Sequence, residues 1–325
     1  MKPEEFQKLT QELERLTDAQ RKQVLKHLGK QGEGEVVGAI IEKRLQIKPT
    51  CPKCGDSKIV RWGLSDGLQR YRCSACRATF NALTGTPLAR LRHKDKWLAY
   101  AQQMAEGRSI RNSANACSVH RNTSFRWRHR FLALPQAQKA TSLAGIVEAD
   151  ETFFLESFKG KKRGMTRASR KRGGKAAKRG LSSEQVPVLI CRDRTGSTAD
   201  FVLRKIDKTH ISAALKPLLA TDTILCSDSE RAIAAVAREI GVTHRPVNVS
   251  AGIRVIGKVY HIQNVNAYDS RLKQWMNRFH GVATRYLENY LGWRRIIERT
   301  ADSLSARSIL FAALGFGRDQ HLMMT

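Results

Sequence analysis

The chain has 325 residues, with 58 lysines and arginines against 29 aspartates and glutamates, a formal net charge of +29 at pH 7. Hydrophobic residues make up 41%, enough for packed cores, so a wholly disordered chain is excluded. The mean hydropathy of −0.43 and the lack of any apolar run of membrane-span length exclude an integral membrane protein, and the excess charge points to a polyanionic partner, nucleic acid.

The first segment, MKPEEFQKLTQELERL, is acidic and amphipathic and lacks the basic start and apolar middle of a secretory leader. Residues 1–47 read as a small helical bundle. Phe6, Leu9, Leu13 and Leu16 recur at helical spacing, a second helix follows Thr17-Asp18, and a glycine-rich break at Gly32-Glu33-Gly34 precedes a third.

Residues 48–82 change character. Short strands at Lys58–Trp62 and Gln69–Arg72 flank the turn Ser65-Asp66-Gly67, and the pairs Cys51/Cys54 and Cys73/Cys76 stand at the two ends. Two CxxC knuckles around a hairpin match the ligand spacing of a structural zinc ribbon, with no coordination position left open. The alternatives are two disulfides or four unpaired buried thiols. Cys117, Cys191 and Cys226 stand singly and read as small buried hydrophobes, so the usage suits a reducing cytoplasm.

Residues 83–135 are expected to be helical and to resemble a helix-turn-helix. Ser109–Cys117 would be its first helix and Val119-His120 its turn. Arg121–Phe131 would be the recognition helix, with Asn122, Arg126 and Arg130 on one face toward DNA. An ordinary basic amphipathic helix is the plainer reading. A polar linker, 136–145, follows.

From Ile146 strands and helices alternate to about residue 300. Ile146–Leu155 reads as a buried strand whose alternation puts Glu148 and Asp150 on one face and Glu151 on the other. The basic loop 159–179 holds eleven basic residues and no acidic one. It includes Lys171, Arg172, Lys175, Lys178 and Arg179, which suit sequence-independent phosphate contact. Two more strands, a helix, a strand ending at Asp228, a helix, a further strand and a long helical stretch from Asn264 to about Arg299 complete the order. It is that of a ribonuclease-H-like α/β fold, in which the first and fourth strands are neighbours. Asp150 and Asp228 then converge, as a magnesium site requires. Asn266 and Lys273 share one face of the last helix. Asp269, Glu288 and Glu298 are alternative third ligands, and His261 precedes the helix.

Several stretches together resemble bacterial insertion-sequence transposases of the DDE superfamily, in the zinc-ribbon-bearing group (family fifteen-ninety-five). They are the cysteine quartet, Glu148-Ala-Asp150-Glu-Thr-Phe-Phe, the basic run from Arg170 to Gly180, Ser227-Asp228, and His261-Ile-Gln-Asn-Val-Asn266 running on to Lys273. Arg278–Arg294 also matches. The resemblance implies DNA transposition at double-stranded element ends and target DNA, by a homo-oligomer assembled on DNA. It implies Mg²⁺ held by Asp150, Asp228 and Asn266, with Mn²⁺ able to substitute, and Lys273 on a DNA phosphate. Asn266 stands where many relatives have glutamate, one negative charge fewer. The expected location is the bacterial cytoplasm, at the nucleoid, with no membrane and no small-molecule substrate. Residues 146–300 would be the catalytic domain and 301–325 a C-terminal tail. A non-catalytic DNA-binding regulator and a structure-specific nuclease are the alternatives.

Overall fold

The computed structural model describes residues 2–316, apart from 162, 166, 169, 172, 173, 179–181, 229 and 230. The chain divides into two units: the part up to Phe131 together with the segment from Ser305, and Leu132–Leu304.

The first unit begins with helix α1 (Pro3–Glu14), which buries no residue: Phe6, Leu9 and Leu13 are exposed. The expected bundle therefore does not form around it. Helix α2 (Asp18–Ile47) is opened by a capping box between Thr17 and Gln20 and runs straight through Gly32 and Gly34, where a break was expected. Each glycine costs a helix about 1 kcal/mol. Burial of Val37, Ile40, Ile41 and Leu45 on the following turns offsets it.

Strands β1 (Ile59–Ser65), β2 (Leu68–Cys73) and β3 (Thr79–Phe80) form a three-stranded antiparallel sheet in that order. The β1–β2 turn is Asp66-Gly67, with φ of 53° and 74°. Two left-handed residues in succession match the twist of a hairpin, and Asp-Gly tolerates them best.

Helices α3 (Trp97–Ala105), α4 (Ile110–Ala116) and α5 (Arg121–Phe131) follow. The Ser109 hydroxyl caps α4 by accepting from the Asn112 N–H. Trp97 and Phe131 meet edge-on at 5.7 Å, as do Tyr100 and Trp127 at 5.2 Å, which anchors α5 on α3. Helix α11 (Ala306–Leu314) packs on α3. Residues 301–325 are therefore not simply a tail: every residue from Ser308 to Leu314 is buried, because this apolar run needs a partner. Residues 317–325 lie outside the described part.

The second unit opens with the short helix α6 (Ala133–Ala137). Residues 136–145, expected as a linker, pack against the sheet that follows. Ala140 N–H donates to Thr198 O, and Lys139 lies 3.8 Å from the Phe201 ring centroid. The remaining elements are β4 (Ile146–Leu155), β5 (Gln185–Asp193), β6 (Thr198–Val202), α7 (Lys208–Leu215), β7 (Ile224–Ser227), α8 (Arg231–Ile240), β8 (Thr243–Pro246), α9 (Gln263–Asn277) and α10 (Leu287–Arg299). The expected single stretch from Asn264 to Arg299 is thus two helices. Its break includes His280 and Gly281, both in the left-handed region.

The sheet order is β6-β5-β4-β7-β8. Strand β4 is antiparallel to β5 and parallel to β7, and β7 is parallel to β8. This is the ribonuclease-H-like arrangement, with the acid-bearing strands central and adjacent. One face carries Val147, Ala149, Leu189, Cys191 and Leu225 into a core with α7 and α8. By alternation the other face carries Glu148, Asp150 and Thr152, and α9 packs against β4 and β5.

Helix α10 approaches α6 so closely that a Cβ on Gly292 would lie 2.6 Å from Pro135 O. Arg295 fastens the junction, donating to Pro135 O and Gln136 O and pairing with Asp200. Gly292→Ala is expected to destabilise the protein by about 1–3 kcal/mol, since backbone must move to admit the methyl. Thermal unfolding checks this; an unchanged midpoint would contradict the close packing.

Candidate active site

In the parallel pairing of β4 with β7, Glu148 stands beside Cys226. Two residues further along each strand come Asp150 and Asp228, at the same level on adjacent strands. Their carboxylates converge with that of Glu151: one oxygen from each lies within 4.8 Å of the other two. Sequence alternation put Glu151 on the far face. Alternation fixes the direction of Cβ, and the glutamate carboxylate sits two carbons beyond it, so the charged end is not bound by that rule. The Asp-Glu doublet in the middle of an otherwise largely apolar strand was the available signal.

The Asp150 carboxyl is pushed up to about 6, first by its burial and then by the charges of Asp228 and Asp269. The Glu151 N–H, donating to Asp150 Oδ1 at 3.0 Å, and the Lys273 ammonium act the other way. The site is therefore a place where negative charge has been gathered.

Helix α9 presents Asn266 and Lys273 on its exposed side. Lys273 Nζ pairs with Asp269 at 2.8 Å, and the other Asp269 oxygen is buried with no hydrogen-bond partner among the described residues. Of the alternative third ligands, Glu298 is held by Arg192, Arg271 and Arg294, and Glu288 accepts from Gln136. Asp269 alone of these three acts on Asp150.

The donor set fits a hard divalent cation. It is all oxygen, it includes a half-buried acid raised by its burial and then by its neighbours' charge, and an orphaned buried carboxylate oxygen lies on the helix beside it.

In the first unit the four sulfurs of Cys51, Cys54, Cys73 and Cys76 form a second cluster, again mutually within 4.8 Å. Cys51 Sγ lies 3.7 Å from Cys76 Sγ, and Cys54 Sγ lies 3.6 Å from Cys73 Sγ. Four thiolates about 2.3 Å from a tetrahedral centre would stand about 3.8 Å apart, so the spacing fits zinc. None of the four is in a disulfide.

On α5, Asn122 and Arg126 are exposed. Arg130 is half-buried, and its guanidinium bonds to Pro87 O and, at 3.0 Å, to Ala89 O. Between them Arg128 is fully buried, donating to Arg108 O and Ser113 Oγ. The basic loop divides similarly. Lys171, Lys175 and Lys178 are exposed, whereas Lys159, Arg167 and Arg170 bond to backbone carbonyls. Arg172 and Arg179 lie outside the described residues.

With this geometry in hand, comparison with known proteins gives a consistent result. Residues 142–294, the second unit almost entire, match the family model of the ISXO2-like transposase domain. The chain is 29% identical over 274 residues to an "uncharacterized protein in transposable element ISH50" of Halobacterium salinarum, covering 81% of this chain and 91% of the relative. Solved structures of a pre-cleavage Mos1 transpososome and of the Mos1 mariner paired-end complex with Mn each align with 65% of this chain and 77% of theirs. Both are 11% identical, with TM-scores of 0.20 and 0.21, too low to carry weight. The fold and site thus belong to the class of transposase domains. Residues 142–294 are similar to the transposase domain of insertion-sequence family fifteen-ninety-five, and the chain over most of its length resembles a transposable-element protein.

The raised Asp150 carboxyl has a consequence for the protein without added divalent ions. Below about pH 4 the group is protonated folded or unfolded and contributes nothing. Between about pH 4 and 6 the unfolded chain loses this proton while the fold keeps it, so stability falls relative to a neutral side chain, and above about pH 6 the loss is complete. Asp150→Asn is therefore expected to melt higher than wild type at pH 7.5, with the gain fading towards pH 4. Melting curves across that range check this, and a lower midpoint for the variant at pH 7.5 would contradict it.

Proposed function

We propose that the protein cuts DNA at the ends of its insertion sequence and joins the freed ends to target DNA, using divalent cations held by Asp150, Asp228 and Asn266, with Glu151 alongside. The observation that carries this reading is the meeting of the Asp150, Glu151 and Asp228 carboxylates inside a transposase domain. A bound Mg²⁺ pair, or Mn²⁺ in its place, supplies neutralisation of the attacking and leaving oxygens in an in-line displacement.

The chain's own residues do the rest. The central strands hold Asp150 and Asp228 rigidly, so little reorganisation accompanies the reaction. Asn266 offers a neutral amide oxygen where an acid would add charge. Glu151 and Asp269 supply negative charge near the place where Asn266 lacks it. Lys273, released from Asp269, contacts a DNA phosphate near the scissile bond. The chemistry is hydrolysis of a phosphodiester to leave a 3′-OH, followed by attack of that hydroxyl on a target phosphodiester.

The first unit recognises double-stranded element ends in this reading. Cys51, Cys54, Cys73 and Cys76 hold a structural Zn²⁺, and Asn122 and Arg126 of α5 face the groove. Arg130 braces the helix through Pro87 and Ala89 while contributing charge. Lys171, Lys175 and Lys178, with Arg172 and Arg179, hold phosphates without sequence preference. Two ends cut in one event imply a homo-oligomer assembled on DNA. Action at the nucleoid of a bacterial cytoplasm follows.

Purified protein with Mg²⁺ and DNA carrying its own element ends is expected to yield joined products, lost in Asp150→Ala and Asp228→Ala with DNA binding kept. Tight binding with no cutting under Mg²⁺ or Mn²⁺ would replace this account with a DNA-binding regulator. Cutting without joining, indifferent to element ends, would replace it with a nuclease. For the cysteine cluster, elemental analysis is expected to find about one zinc per chain. Cys54→Ser should remove it and lower end binding while leaving the catalytic unit folded. Zinc-free protein that binds ends normally would refute the zinc assignment.

A further inference from the structure

Helix α9 carries Asn266 but has no acid in its first turn, and its N-cap, Ile262, has no side chain able to cap it. Its first N–H groups find partners elsewhere. Gln263 N–H donates to His261 Nδ1 at 3.2 Å, and Val265 N–H donates to Glu148 Oε2 at 2.9 Å. Glu148 is fully buried on β4, two residues before Asp150 and on the same face. Its other oxygen pairs with Arg194 Nη1 at 2.6 Å and lies 3.4 Å from His261 Nδ1. Arg194 Nη1 in turn reaches His261 Nε2 at 2.8 Å, and Nη2 donates to Val259 O at 2.7 Å.

We propose that Glu148 is a positioning residue that sets Asn266 against Asp150, by capping helix α9 from the catalytic strand. The inference rests on the active-site reading above. A buried carboxylate without partners costs several kcal/mol, and here the Arg194 ion pair and the Val265 N–H offset that cost. The anion also meets the positive end of the helix, where negative charge is favoured. The chain path is short. From the Glu148 carboxylate one residue along α9 reaches Asn266, and two residues along β4 reach Asp150. One side chain thus fixes both the rotation and the axial position of α9 relative to the strand that bears the first ligand. Arg194, paired with the other carboxylate oxygen, aims the group at the helix end.

Burial and ion pairing alone would make Glu148 merely structural. The two roles separate in a double-mutant cycle on the full chain, read by Mn²⁺ binding in electron paramagnetic resonance titrations alongside thermal unfolding. Glu148→Gln keeps the volume and an acceptor for Val265 while removing the charge that aims it. It is expected to weaken Mn²⁺ binding about tenfold, the lower end of what supporting residues around metal ligands contribute. Asn266→Ala should weaken it as well. In the Asn266→Ala background Glu148→Gln should change affinity less than about twofold, because the residue through which it acts is gone. Equal losses in both backgrounds, or an unchanged affinity in Glu148→Gln, would overturn the proposal. Should Glu148→Gln fail to fold, Arg194→Lys, which loosens the carboxylate's orientation without removing it, enters the same cycle with the same expectation. Asp150→Ala is the control. If it binds Mn²⁺ as wild type does, the active-site reading itself fails, and the positioning role with it. If Asp150→Ala abolishes binding and Glu148→Gln leaves it intact, only the positioning role fails.

Discussion

Gathering like charges inside a fold is unfavourable, and the second unit is arranged around that constraint. Asp150 sits on the middle strand of a five-stranded sheet, with Asp228 on the neighbouring strand and Asp269 on the covering helix. In water such carboxylates would keep apart. Here the parallel register of β4 with β7 brings two of them level, and the hydrophobic core beneath with α7 and α8 holds those strands in place. The Asp150 carboxyl responds by holding its proton to about pH 6. Stability is given up at a place where a cation would restore it.

The same logic explains how the neighbouring charges are treated. Glu148, the preceding residue on the same strand face, pairs with Arg194 and accepts from a helix N–H. Glu298 is surrounded by three arginines. Arg295 spends its guanidinium on Asp200 and on carbonyls around α6. Against that background the group at Asp150, Glu151 and Asp228 differs: its members face one another. A neutral Asn266 makes sense beside them if Glu151 and Asp269 already furnish the extra charge.

Much of this was legible in the sequence for a physical reason. Strands β4, β5 and β7 are buried runs of branched side chains bounded by turn residues, and helix α5 has a clear apolar face. Their limits and order could be read directly. The cysteine spacing carried its meaning in the same local way. What could not be read depended on contacts between distant segments. Gly32 and Gly34 look like a break, yet α2 continues because the turns beyond them are buried. Ser308–Leu314 looks like the end of a tail until α3 is present to cover it. Arg130 resembles Asn122 and Arg126 by spacing, but two backbone carbonyls claim its guanidinium. The Glu151 carboxylate was misplaced because alternation governs backbone direction and not the end of a long side chain.

The account turns on divalent cations at the acidic cluster. Anomalous diffraction from crystals grown with Mn²⁺, recorded at the manganese edge, tests it most directly. The predicted result is a peak between the Asp150 and Asp228 carboxylates, within coordinating distance of the amide oxygen of Asn266 or the carboxylate of Glu151. Manganese peaks elsewhere on the chain, with none between those two aspartates, would contradict it.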